Sequence, residues 1–139
     1  MIKRTLTAAL LLILVSFGCF AQTKYEDIDE LFNWYMEVTI GVANVLEGSQ
    51  DTKQIAQALN DYVDATLEFI PQMEQFEEKY PELAEMSDPP KELEETMERF
   101  EDAMGRVAES FSGLMQYADD PDVQKAFERL EEIGGTFAQ

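Results

Sequence analysis

The chain has no histidine among its 139 residues, which removes the commonest general base, the commonest transition-metal ligand and the usual axial ligand of haem. Cysteine is nearly as scarce: a single Cys19 allows no intramolecular disulfide, so packing alone has to hold the fold. Basic residues are few, ten against 29 acidic ones, for a formal charge of −19. A surface of that sign repels DNA, RNA and anionic lipid headgroups, which excludes nucleic acid as a partner. Beyond the first 21 residues there is no apolar run long enough for a membrane span and no alternating pattern of useful strand length.

What is present begins with an export address. Lys3 and Arg4 open the chain, Leu6 to Phe17 is almost wholly apolar, and Cys19-Phe20-Ala21 puts small residues at the two positions a signal peptidase inspects. Residues 1–21 are expected to be a cleaved signal peptide, directing the rest to a bacterial periplasm or outside the cell. Cys19 has a competing use as a lipidated N-terminus, which would anchor the protein to a membrane. Ser16 and Phe17, where that signal favours an aliphatic and a small residue, argue against it. Cleavage after Ala21 leaves residues 22–139, one domain's worth of chain, with eight basic residues against 29 acidic ones and a charge of −21.

Apolar residues recur through the acidic stretches at helical spacing, so a core is available and an all-α fold is expected. Thr23 and Glu26 are spaced as a capping box for a first helix over about Lys24 to Glu47, with the seam Ile28, Leu31, Tyr35, Val38, Val42, Val45 and a left-handed Gly48 at its end. Asp51 with Gln54 opens a second, whose seam Ile55, Leu59, Tyr62, Thr66, Phe69, Met73, Phe76, Tyr80 alternates steps of four and three. Pro71 falls on the opposite face, predicting a bend, and Pro81 ends the helix. A turn is expected around Leu83 to Met86. Asp88-Pro89-Pro90 reads as the cap of a third helix with the seam Leu93, Met97, Phe100, Met104, Val107, Phe111, Leu114, Ala118. Asp120-Pro121 opens a shorter fourth through Val123, Phe127, Leu130 and Ile133, stopped by Gly134-Gly135. Short connections predict an up-down antiparallel bundle of three long helices plus the shorter fourth, with the second and third forming a long hairpin.

The chemistry open to such a chain is narrow. Haem bundles need axial histidine, and di-iron bundles need Glu-x-x-His on two helices, so neither cofactor is expected. Glu95, Glu98, Asp102 and Glu109 share one face of the third helix, and paired acids can hydrolyse bonds when burial separates their pKa values. That face lies opposite the seam, and Glu95 with Arg99 and Asp102 with Arg106 have the order of surface ion pairs, so no enzymatic role is expected. Met73, Met97 and Met104 lie on seams where their thioethers suit either core filling or Cu(I).

The functional lead is the first helix. Its polar positions Glu26, Glu30, Asn33, Glu37 and Asn44 form a narrow strip, and Met36, Ile40 and Ala43 form an apolar flank beyond the seam. Either the other helices cover that flank, or it is a surface for a protein partner, a second copy or an apolar ligand. The expectation is an exported, non-catalytic binding or interaction protein. The alternatives are a carrier of an apolar ligand or Cu(I) in the bundle core, and a carboxylate-dependent hydrolase.

Overall fold

A computed structural model describes residues 23–137, so the signal peptide, its cleavage site and Cys19 lie outside the described residues. The described chain is all-helical: α1 Glu26–Gly48, α2 Thr52–Lys79, a 3-10 helix Pro81–Glu85, α3 Lys91–Phe111, a second 3-10 helix Ser112–Tyr117, and α4 Pro121–Phe137. No described helix is long and apolar enough to cross a membrane.

Helix starts follow side-chain chemistry in two places. Asp51 accepts from the Lys53 amide at 2.9 Å, and Asp120 accepts from the Asp122 and Val123 amides at 3.0 and 3.2 Å, each satisfying donors that a helix leaves free. At α1 the capping box does not form. Thr23 offers its backbone carbonyl to the Glu26 amide at 3.2 Å, and Glu26 Oε2 is buried without a hydrogen-bond partner. Nor does Asp88 cap α3: Pro90 sits extended at the cap position with no side-chain bond.

Helix ends depart further from expectation. No described glycine has a positive φ, so Gly48 closes α1 in helical conformation before an extended Ser49. Gly134 likewise stays within α4, which continues to Phe137. α3 tightens to 3-10 geometry after Phe111 instead of running to Ala118. Ser110 and Ser112 each donate at 2.7 Å to a carbonyl three residues back, and Gly113 follows, so the α ladder loses its competition with local bonds. Pro71 is exposed and α2 runs unbroken through it, because its missing N–H falls on the solvent side.

Packing places α1 at the centre, with α2 and α3 against it, and α4 against α2. The expected hairpin of α2 and α3 is not close backbone packing. Their contact is made by rings reaching across: Phe69 stacks on Phe100 at 6.1 Å and Tyr62 meets Phe111 edge-on at 6.0 Å. Because α1 serves two neighbours it buries two stripes, one of them through Phe32, Met36, Thr39 and Ala43.

The interior divides into two clusters. The larger joins Tyr35, Val42 and Leu46 of α1, Ile55, Leu59 and Tyr62 of α2, Val107, Leu114, and Val123 and Ala126 of α4. Arg129 bolts α4 down, donating to Asn60 at 2.5 Å and Asp64 at 2.6 Å. The smaller joins Tyr25, Ile28, Phe32, Tyr80 and Leu93, surrounded by half-buried Met73, Phe76, Leu83 and Met97.

Candidate functional site

The smaller cluster is where a site is built. α1 supplies Ile28 and Phe32 one helical turn apart, the last third of α2 supplies Met73 and Phe76, and α3 supplies Leu93 and Met97. The connection from Pro81 to Pro90 lies across their ends and adds Leu83, Met86, Pro89 and Pro90. Together they line a pocket of about 520 Å³, a size that suits one small ligand. Ile28 and Leu93 are buried, whereas Met86 at the mouth is 47% exposed.

A wall of rings stiffens the inner side. Phe32 meets Phe69 and Phe100 edge-on at 5.4 and 4.8 Å, and Tyr35 stacks on Phe69 at 4.4 Å. The Tyr35 hydroxyl lies 2.8 Å from Thr66 Oγ1, which donates to the Tyr62 carbonyl at 2.8 Å. Thr66 has spent its only proton, so Tyr35 is the donor in their bond. Burial, and then its hydrogen bond with Tyr35, push the Tyr62 phenol well above its ordinary range, so it stays neutral. A second hollow of about 370 Å³ adjoins this wall, lined by Tyr35, Phe69, Phe100 and Met104 and sharing Met73 with the first.

The connection is held in place by a polar clasp. Tyr25 and Tyr80 meet edge-on at 5.2 Å, Tyr25 donates to Glu82 at 3.2 Å, and Glu82 pairs with Lys24. The Tyr80 hydroxyl lies 2.9 Å from Asp27 Oδ1, and Lys79 pairs with Asp27 Oδ2 at 2.5 Å. Its hydrogen bond with Lys24 holds the Glu82 carboxyl below the usual range. Burial raises that of Asp27, but bonds from Lys79 and Tyr80 outweigh it and the net shift is downward.

Three acids, Glu77, Asp88 and Glu101, stand exposed around the mouth, and no lysine or arginine lines the pocket. Among the described residues none of the three is in an ion pair, since the bases that do pair engage Glu82, Asp27, Glu47 and Asp64. The mouth therefore carries negative charge that no ion pair among the described residues neutralises.

Other residues singled out from sequence lie elsewhere. Met36 and Ala43 are 2% and 0% exposed, so the expected flank of α1 is not a free surface. Asp29 bonds Thr96, Phe32 touches Phe100, and Asn44 and Glu47 bond Arg106, so the face holding Met36, Ile40 and Ala43 is turned toward α3. Only Ile40, 39% exposed at the edge of that packing, reaches solvent. Glu95, Glu98, Asp102 and Glu109 are all exposed. Arg106 pairs across to Glu47 at 2.6 Å instead of along its helix with Asp102. Met73 and Met97 share the larger pocket, while Met104 lines the adjoining hollow. No cluster of three or more acidic, cysteine or histidine side chains able to hold a metal occurs among the described residues.

No family model, curated protein or solved structure matches this chain. Sequence reasoning passed over Met86, Leu83 and the two prolines because they sit in a connection. The available signal was the pair Leu83 and Met86, two large apolar residues three apart in a stretch otherwise acidic and proline-rich.

Proposed function

We propose that this chain is an exported, non-catalytic binding protein, and that the pocket closed by the 81–90 connection takes one apolar ligand. Residues 1–21 act as the cleaved signal, and residues 22–139 work in the periplasm or outside the cell as one up-and-down bundle. The observation that carries the reading is the cavity of about 520 Å³ with Phe32, Phe76, Met73, Met86, Leu83 and Met97 on its walls. Walls of this kind gain free energy by releasing water from apolar surface, and thioether side chains adapt to the shape they meet. The absence of histidine and the exposure of the α3 acids support binding rather than turnover. The apolar flank of α1, spent on α3, leaves this pocket as the better-supported surface.

Titration of the mature protein with the uncharged dye Nile red tests the reading. One saturable site is expected, and Met73→Gln with Met97→Gln should weaken it at least about tenfold while the thermal midpoint stays close to that of the parent. Dye binding that ignores the double substitution overturns the proposal. Thioethers from three elements, Met73, Met86 and Met97, around one pocket also favour a second reading as a Cu(I) site. Competition with a Cu(I) chelator under reducing conditions decides it: on the apolar-ligand reading the protein takes no copper from the chelator.

A further inference from the structure

We infer that the ligand of this pocket is a cationic amphiphile: an apolar chain or ring system that fills the methionine and phenylalanine walls and leaves a permanently positive head at the mouth. This rests on the binding reading above and adds the chemical class. The inner surface has no cation and no polar side chain able to orient a buried head group, since Ile28, Phe32, Met73, Phe76, Leu93 and Met97 are all apolar. Polarity is confined to exposed residues at the mouth, the Ser87 hydroxyl and three acids from different elements, Glu77 of α2, Asp88 of the connection and Glu101 of α3. All three acids are exposed and, among the described residues, free of ion pairs.

The discriminating detail is that every charged side chain lining the pocket is an acid. In the adjacent clasp, acids are matched with bases: Glu82 with Lys24 and Asp27 with Lys79. Around the pocket the matching stops, although Lys91 is only three residues from Asp88 in the chain. An anionic head placed there would meet three like charges, and a neutral head would gain nothing from them. A cationic head gains three attractive interactions, each of the modest strength of an exposed, salt-screened pair. The mouth therefore selects by sign while the walls hold by area, and methionine on three sides lets the walls accept chains of differing shape.

The test displaces Nile red from the mature protein with dodecyltrimethylammonium, dodecanol and dodecanoate, which share a chain length and differ in head charge, at concentrations below micelle formation. The expected order is ammonium first, at about tenfold lower concentration than dodecanol, with dodecanoate weakest. Glu77→Gln, Asp88→Asn and Glu101→Gln together should bring the ammonium to the level of dodecanol. Asp119→Asn, Asp122→Asn and Glu131→Gln, which remove the same charge from exposed positions outside the pocket, should change it by less than about twofold. Equal loss in both triple variants would reduce the preference to the general field of an acidic protein and overturn the assignment. Equal displacement by all three heads would also overturn it, while leaving an apolar pocket intact. Displacement by none of them would sink the pocket reading itself. A helical lysine-leucine peptide displacing the dye at far lower concentration than the surfactant would give the pocket to a protein segment and overturn the small-molecule class.

Discussion

The two halves of α2 carry the same seam and meet different fates. From Ile55 to Thr66 the helix is gripped from both sides: Ile55 and Leu59 are completely buried, and Ala56 and Val63 are covered as well. From Phe69 to Phe76 the seam keeps its phase, yet Phe69, Met73 and Phe76 are only half-buried. The difference is the partner, not the pattern. α4 packs on α2, joins only the larger cluster, and is pinned at Asn60 and Asp64 by Arg129. Over the remaining turns a ten-residue connection stands in for a helix and leaves a cavity. A periodic stripe states that a face wants cover, and the length of what covers it decides whether the result is core or site.

The comparison breaks most readily with truncations in each half. Leu59→Ala is expected to cost about 3 to 5 kcal/mol, because the closed half cannot collapse into the space left behind. Met73→Ala, at a half-buried position beside an existing cavity, should cost about 1 kcal/mol or less. Urea melts of both variants measure this, and equal costs would mean that the two halves are packed alike.

A smaller effect is expected at the boundary between the halves. Thr66→Val removes the acceptor of the buried Tyr35 hydroxyl while keeping shape, and should cost about 1 to 2 kcal/mol. Tyr35→Phe and Tyr62→Phe added to it together should restore most of that loss, since the Tyr62 hydroxyl, which bonds Tyr35, would otherwise be left unpaired in its turn. A mutant cycle in urea reports the coupling, and additive losses would deny the bond its role.

The smallest effect concerns the clasp and is read from pH. Asp27 and Glu82 have depressed pKa values in the fold, so their contribution is present above the unfolded carboxyl range, about pH 4, and is lost as pH falls through the folded values. Lys24 and Lys79, raised chiefly by their bonds to Glu82 and Asp27, contribute fully below about pH 10 and lose that contribution as pH rises through their folded values. Amide exchange around Tyr25 to Ile28 should therefore be slowest, after correction for intrinsic rates, between about pH 4 and pH 10. Corrected protection that stays flat down to pH 3 would show that the ion pairs do not hold the connection.

Much of this architecture was legible from the chain. The seams of α1, α2 and α3 and the caps at Asp51 and Asp120 follow from spacing and residue type, because a buried stripe and an N-terminal oxygen acceptor are local properties. Which helix would sit at the centre was not local. Met36, Ile40 and Ala43 mark an apolar surplus on α1, but only the packing of α3 against that face turns the surplus into core. Helix ends escaped for a related reason: Gly134 permits a stop without requiring one, and the seam to Ala118 says nothing of the serine bonds that tighten the chain after Phe111. The pocket was half visible, since Met73 and Met97 stood on predicted seams while Met86 lay in a connection that periodicity does not reach.

The central claim, that the open end of the bundle binds a ligand and the closed end does not, is tested most directly by methionine methyl NMR of the mature protein titrated with dodecyltrimethylammonium. Met73, Met86 and Met97 line the pocket, whereas Met36 is sealed in the core and Met115 stands 76% exposed on the second 3-10 helix. The account predicts saturable shifts of the first three methyls at one equivalent, with Met36 and Met115 unmoved. Shifts led by Met115, or a uniform drift of all methyls without saturation, would contradict it.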